Sequence, residues 1–323
     1  MTNNENNTGI LGLHHVTALA SDVQKNVDFY AGILGLRMVK KTVNFDAPDV
    51  YHLYYGDREG APGTLMTFFP YPGMVKGRKG AGQLTVTSFS IPEGSIGYWM
   101  KRLDKFGIDF TKPQTRFDNE EFIYFEDNDG LGIELVANDS DFRDGYNYGH
   151  IPSAHTIKGL YSVALNQQRH ERTAGFLTDI MDHKLIAEEN GRFRFSVDGE
   201  VGEIVDVLAL PSGTIGKGGS GTFHHVAFAT INDDTQLEVR EKLVSHGVHV
   251  TPVVDRMYFR SVYFREPGGV LFEVATNPPG MSIDESPNHL GAELKLPPWH
   301  EKNRSDIEGN LETVTLDMEK FRD

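Results

Sequence analysis

A segment that recurs along the chain limits its fold more than any local feature, because a duplicated supersecondary unit buries its apolar face against its own copies. The clearest match joins the second and fourth quarters. MKRLDKFGI (100–108) is echoed by REKLVSHGV (240–248), with Leu103 on Leu243 and Gly107 on Gly247. Further on, Tyr124 and Phe125 of FIYFEDNDGLGIELVA correspond to Tyr263 and Phe264 of SVYFREPGGVLFEVAT, and Glu134 then falls on Glu273. Each copy runs from an apolar strand through an amphipathic helix closed by glycine to strands separated by turn residues. In the first copy LHHVTALA (13–20) alternates as a half-buried strand, and Ser21 or Asp22 can cap a helix. Val23, Val27, Tyr30 and Leu34 mark one face of that helix before Gly35, and VYHLYYGD and GTLMTFFP supply later strands. The second copy covers about 83–137, with its helix near 95–106. The third opens at KGLYSVAL, has a helix around 172–182 and closes with GEIVDVLALP; the fourth opens at FHHVAFAT and closes with GGVLFEVAT. This order predicts an α+β fold of four βαβββ modules.

The pattern lapses at 70–82, 138–154 and 211–221, which read as linkers. The expected organisation is a disordered tail over 1–10, an N-terminal pair of modules over 11–150, a C-terminal pair over 155–276, and an extension over 277–323. The extension is rich in proline and charge and has no repeat match.

Composition narrows the chemistry. With 31 Lys and Arg against 46 Asp and Glu, the net charge of -15 repels phosphate backbones and anionic lipid, so neither nucleic acid nor membrane is an expected partner. No window approaches the roughly 18 apolar residues of a membrane span. The polar start MTNNENNTG has no signal-peptide pattern, and the expected location is the cytoplasm. Cysteine is absent, which excludes disulfides, zinc–thiolate sites and cysteine nucleophiles. A metal in this chain is held by His, Asp and Glu, ligands that suit iron, manganese or zinc.

The strands that open copies one and four share the dyad His-His-Val: His14, His15 and Val16, then His224, His225 and Val226. Neighbouring side chains on a strand point to opposite faces, so one His of each dyad faces a given interior. Aligning the copies places His15 opposite His225. Glu273 follows on the last strand of the fourth unit, inside the apolar run VLFEVAT, where an unpaired carboxylate is costly. The alternatives for it are an ion pair with Arg256, Arg260 or Arg265, or exposure. Recurrence of ligand-capable residues at equivalent places favours a site. Ser162 and Asp206 take the His and Glu places in copy three, Val86 and Glu134 in copy two, and Thr67 takes the Glu place in copy one. The best single site is His15, His225 and Glu273, and it requires unit one to pair with unit four and unit two with unit three. Two imidazoles and one carboxylate leave coordination positions open for substrate and O2, as in non-haem Fe(II) oxygenases, whereas a structural site closes its sphere.

LHHVTALASDVQKNVDFYAGILGLRMVKKTVNFD with YHLYYGD, FHHVAFA and PGGVLFEVAT resemble the vicinal oxygen chelate superfamily, which includes glyoxalase and extradiol-type dioxygenases. The segment from about 11 to 275 is most similar to its hydroquinone-cleaving ring dioxygenases. The resemblance implies two incomplete β-barrels, Fe(II) as the metal, and an aromatic substrate with O2; the ligand types leave Mn(II) as the alternative. It also implies supporting roles for His14, Thr17, His224, Arg256 and Tyr263. Of these, His224 or Tyr263 would hold or donate protons and Arg256 would stabilise developing negative charge. Strand packing for Tyr263 and an ion pair with Asp255 or Glu273 for Arg256 are the plainer alternatives. In catechol-cleaving relatives the first His comes from the third unit, where Ser162 stands here. A glyoxalase-like lyase or isomerase would use a fourth ligand, commonly a carboxylate, where Thr67 stands. A binding protein of the bleomycin-resistance kind would leave both dyads and Glu273 unexplained. His52, His150, His155 and His289 show no repeat equivalence and are assigned surface or core roles. The sequence leaves open whether the chain forms a homo-oligomer.

Overall fold

The computed structural model describes residues 9–117 and 119–322. Unit one contains β1 (Leu13–Ala20), α1 (Val23–Val27, continued by a π-helical turn over Asp28–Ile33), β2 (Arg37–Asn44), β3 (Ala47–Gly56) and β4 (Leu65–Pro70). Unit two contains β5 (Gln83–Ile91), α2 (Ile96–Lys105), β6 (Gln114–Arg116), β7 (Glu120–Glu126) and β8 (Gly132–Ala137). Unit three contains β9 (Gly159–Gln167), α3 (His170–Asp179), β10 (Lys184–Glu189), β11 (Arg192–Ser196) and β12 (Ile204–Ala209). Unit four contains β13 (Thr222–Thr230), α4 (Asp233–Ser245), β14 (Val254–Asp255), β15 (Arg260–Arg265) and β16 (Leu271–Thr276). The four βαβββ modules are all present.

The strands form two curled eight-stranded sheets, ordered β14-β15-β16-β13-β1-β4-β3-β2 and β10-β11-β12-β9-β5-β8-β7-β6. Units one and four share the first sheet, and units two and three the second. In every unit the first strand runs parallel to the last, and first strands of partner units meet antiparallel. The ladder also carries the equivalences read from the repeat. Thr17 pairs with Thr67, Ala227 with Glu273, Ala164 with Asp206 and Ser88 with Glu134. In each case the paired residue lies two positions after His15, His225, Ser162 or Val86, on the same face of its strand.

Local chemistry sets the helix ends. The Asp22 carboxylate accepts from Lys25 N at 2.9 Å, and Asn232 with Thr235 forms a capping box on α4. Gly107 and Gly247, just past α2 and α4, adopt φ of 69° and 78°, the left-handed exit glycine permits. Val16, Phe68, Val226 and Phe272 of the first sheet and Phe89, Leu135, Val163 and Val205 of the second belong to one buried cluster.

Two segments read as linkers are parts of the fold. Residues 70–82 and 211–221 pair with each other: Gly77 N donates to Ser220 O at 2.9 Å, and Gly216 N to Ala81 O at 3.0 Å. A Cβ on Gly80 would lie 2.2 Å from Thr214 O and one on Gly219 2.4 Å from Val75 O. Glycine here allows close backbone approach rather than supplying a flexible spacer. Of the segment 1–10 read as a tail, residues 1–8 lie outside the described residues, and Gly9 and Ile10 are buried. The C-terminal extension packs across β2. Lys40, fully buried, is held by Asp284 and Glu285 at 2.5 Å each, and Lys295 N donates to Lys41 O at 2.9 Å. Among the described residues no helix is long and apolar enough to cross a membrane.

Candidate metal centre

The antiparallel pairing of β1 with β13 sets Thr17 beside His225 and His15 beside Ala227, so the two imidazoles converge from adjacent strands. Their Nε2 atoms are 3.1 Å apart. Glu273, on β16 next to β13, brings Oε2 to 2.9 Å from His225 Nε2 and 3.5 Å from His15 Nε2. All three side chains are buried. Atoms with these separations can each lie about 2.0–2.2 Å from one common point, the usual distance from a first-row metal to imidazole nitrogen or carboxylate oxygen.

Hydrogen bonding shows that the carboxylate is incompletely satisfied by protein. The Ser261 hydroxyl donates to Oε1, while Oε2 is buried without a hydrogen bond. A buried acceptor in that state is costly unless something else claims it. None of the arginines weighed as its partner does so. Arg256 reaches Asp46 and Tyr263, Arg260 pairs with Asp233, and Arg265 donates to Gly269 O. The residues therefore fit a divalent cation, which would take Oε2 and both Nε2 atoms.

The outer dyad members prepare that donor set. His14 Nδ1 lies 2.9 Å from His15 Nδ1, and His224 Nδ1 lies 2.7 Å from His225 Nδ1. His14 also bonds the Thr276 backbone. A bond that raises the His14 pKa is one the ring donates, and with Nδ1 facing His15 the tautomer that satisfies both donates to Thr276 through Nε2–H and accepts from His15 Nδ1–H. His15 Nε2 is thereby left as a bare lone pair facing Glu273. Burial, reinforced by His15, lowers His14 to a pKa of about 3. Burial also lowers His225, against the pull of Glu273. For Glu273 itself burial works against ionisation, but a protonated His15 and then His225 outweigh it and hold the carboxyl well below its usual range; a metal ion would displace that proton.

A cavity of about 260 Å³ opens over the triad. Arg256 and Tyr263 line it, with Arg256 Nε donating to the Tyr263 oxygen at 3.0 Å and Arg256 Nη1 2.9 Å from Asp46. His224 lines it as well, edge-on to Phe69. His14 and Thr17 lie behind the cavity wall, the former against Phe259 and the latter bonded to Thr67 at 2.7 Å. His150, His155 and His289 do not line it, but His52 does, together with Tyr54 and Phe259. His52 was assigned a default role because no other unit has a histidine there. Strand pairing supplies the missing equivalence: Tyr54 pairs with Thr67 as Tyr263 pairs with Glu273, so Tyr54 is the counterpart of Tyr263 and His52 that of Ser261.

The family model for the Glyoxalase/Bleomycin resistance protein/Dioxygenase superfamily matches residues 12–135 and 159–274. The chain belongs to this superfamily. Within the superfamily it is 42% identical over 301 residues to "Putative ring-cleaving dioxygenase MhqO" of Bacillus subtilis (strain 168), covering 93% of this chain and 96% of that one. It is 33% identical over 306 residues to chlorohydroquinone/hydroquinone 1,2-dioxygenase of Sphingobium indicum, covering 92% and 94%. The crystal structure of a designated dioxygenase from Bacillus subtilis superposes with a TM-score of 0.92 at 40% identity, covering 96% of this chain and 99% of that one.

Proposed function

We propose that this chain is a non-haem Fe(II)-dependent dioxygenase that inserts O2 into a hydroquinone-type aromatic ring and opens it, with Mn(II) as the alternative metal. His15, His225 and Glu273 would hold the metal. The observation that carries the proposal is the buried triad, with Glu273 Oε2 free of hydrogen bonds, opening directly into the cavity. The names of full-length relatives support ring cleavage as the activity. When bound, Fe(II) supplies the electrons that activate O2 and the Lewis acidity that makes a ring hydroxyl easier to ionise.

The remaining work falls to protein groups. An engineered apolar cavity of about 150 Å³ takes benzene, so about 260 Å³ suits one substituted ring. Phe259 and Phe69 give that ring apolar walls. Burial opposes the charge of Arg256, yet Tyr263 and Asp46 outweigh it and raise its pKa, so the guanidinium stays charged beside an oxygen that gains negative charge. Burial and then Glu273 raise Tyr263, which stays protonated at neutral pH and can donate into the cavity. His224, depressed by burial and by His225, is neutral; with Nδ1 accepting from His225 Nδ1–H it carries its hydrogen on Nε2, from which it can donate to a bound oxygen.

Two rival readings call for groups that other residues replace here. Thr67 stands at the fourth-ligand place and is bonded to Thr17 and His52 instead. Ser162, where catechol-cleaving relatives carry histidine, lies in the other sheet. The test is O2 uptake by the Fe(II)-reconstituted protein with hydroquinone, methylhydroquinone, chlorinated hydroquinones and catechols. Uptake matching a ring-opened product with the hydroquinones is expected. Uptake with none of them contradicts the proposal, and an anaerobic isomerisation that survives zinc substitution would establish the lyase instead.

A further inference from the structure

A row of four polar groups runs from the buried face of β1 into the cavity. Thr17 Oγ1 lies 2.7 Å from Thr67 Oγ1, Thr67 Oγ1 lies 3.0 Å from His52 Nε2, and His52 Nδ1 lies 3.0 Å from the Tyr54 hydroxyl. Burial lowers His52 well below its ordinary pKa and raises Tyr54 well above its own, so both are neutral near pH 7. Each group then carries a single hydrogen on these atoms. Three links use three hydrogens, and one is left over.

Burial decides which end keeps it. Thr17 is fully buried and its hydroxyl bonds nothing but Thr67 among the described residues. If the spare hydrogen sat on Thr17, a buried hydroxyl would point at no acceptor, the arrangement native interiors avoid. Thr17 therefore donates to Thr67, Thr67 donates to His52 Nε2, and His52 Nδ1–H donates to the Tyr54 oxygen. The spare O–H belongs to Tyr54, which lines the cavity. The His52 ring is fixed in place by Tyr54 at 4.1 Å and Phe69 at 4.3 Å between centroids.

The counterpart phenol of unit four, Tyr263, also accepts from the protein, though from a different group: Arg256 Nε–H donates to its oxygen at 3.0 Å. Two phenols in equivalent register, each already accepting one hydrogen bond from the protein, line one cavity.

We propose that Tyr54, its hydroxyl oriented by His52, donates a hydrogen bond to the second ring oxygen of the substrate and so selects rings with two oxygens over rings with one. This rests on the hydroquinone proposal, in which the first ring oxygen belongs to the metal. His52 is a positioning residue, and it acts only through Tyr54.

The test is anaerobic calorimetric titration of the Fe(II)-loaded protein with hydroquinone and with 4-methylphenol, which has similar size and no second oxygen. A neutral hydrogen bond predicts a preference for hydroquinone of roughly 3- to 10-fold. Tyr54→Phe should remove it by weakening hydroquinone alone. His52→Phe, which keeps the aromatic stack, should remove it equally, and the double variant should lose no more than either single one. A preference that survives Tyr54→Phe overturns the proposal; one that survives only His52→Phe overturns the orienting role. 4-Methoxyphenol provides a check free of mutation, because its ether oxygen still accepts: binding no tighter than 4-methylphenol contradicts the proposal. O2 uptake measured on the same preparation separates the two claims. Uptake without preference overturns the Tyr54 assignment and leaves the dioxygenase standing. Preference without uptake does the reverse.

Discussion

The two sheets carry the same register and satisfy their buried acids in opposite ways. In the second sheet Glu134 and Asp206 occupy the Glu273 place, and Val86 and Ser162 the histidine places. There the protein brings its own cations: Arg116 Nη2 lies 2.8 Å from Glu134, and Arg194 grips Asp206 through Nε and Nη2 at 2.8 and 2.9 Å. Both arginines also pair with Glu120, which accepts from the Tyr161 hydroxyl at 2.7 Å. Arg116 and Arg256 hold equivalent places, each just before a non-glycine residue of positive φ, Phe117 at 45° and Met257 at 67°. Arg256 nevertheless turns to Asp46 and Tyr263 and leaves Glu273 to two imidazoles. A guanidinium is permanently charged and closes its site, whereas a neutral imidazole offers a lone pair that waits for a cation. One backbone thus supports a sealed ion cluster and a candidate metal centre, and the difference lies in a few side chains.

Substitutions in each sheet should separate the two roles. His225→Ala removes one of three ligands and should abolish stoichiometric metal and O2 uptake, a loss beyond the 10–100-fold typical of residues that merely support a ligand; metal analysis and oxygen electrode measurements read both. In the other sheet, Arg194→Met leaves Asp206 and Glu120 with less countercharge in a buried place and should cost about 3–5 kcal/mol in urea unfolding. Uptake per folded molecule should stay unchanged, and a loss of uptake without loss of stability would break the division.

Acid should act on the same cluster. Burial opposes ionisation of Glu120, but Arg194 and Arg116 outweigh it and lower its pKa from 4.5 to about 2. A carboxyl depressed in the folded state stabilises above its unfolded pKa, and that contribution disappears as pH falls through the folded value. The window is therefore pH 4.5 down to about 2, and the contribution is on the order of 3 kcal/mol. The stability gap between wild type and Glu120→Gln should be full at pH 6 and shrink steadily below pH 4.5. A gap that does not change with pH would place the stabilisation elsewhere. Finally, His14→Ala frees the His15 tautomer and should weaken metal binding about 10–100-fold while leaving the three ligands present, as competition with a calibrated chelator would show.

Much of this contrast was legible in the sequence because repetition turns one position into four. The His15, His225 and Glu273 set and the pairing of units one with four followed from comparing copies. Side chains whose counterparts differ from copy to copy gave no such leverage. His52 and Tyr54 belong to a strand whose register appears only once β3 meets β4, and Arg194 reaches Asp206 from a neighbouring strand. Glycine-rich segments at 70–82 and 211–221 resemble spacers until their backbones are seen to touch. The extension over 277–323 has no period, and its partner, Lys40, looks in sequence like any surface lysine.

The account stands most directly on a crystal structure of the Fe(II)-loaded protein, grown without oxygen and measured at the iron absorption edge. It predicts one anomalous peak per chain, about 2.0–2.2 Å from His15 Nε2, His225 Nε2 and Glu273 Oε2, and none between Glu134 and Asp206. A peak in the second sheet, or full iron occupancy away from those three atoms, would contradict it.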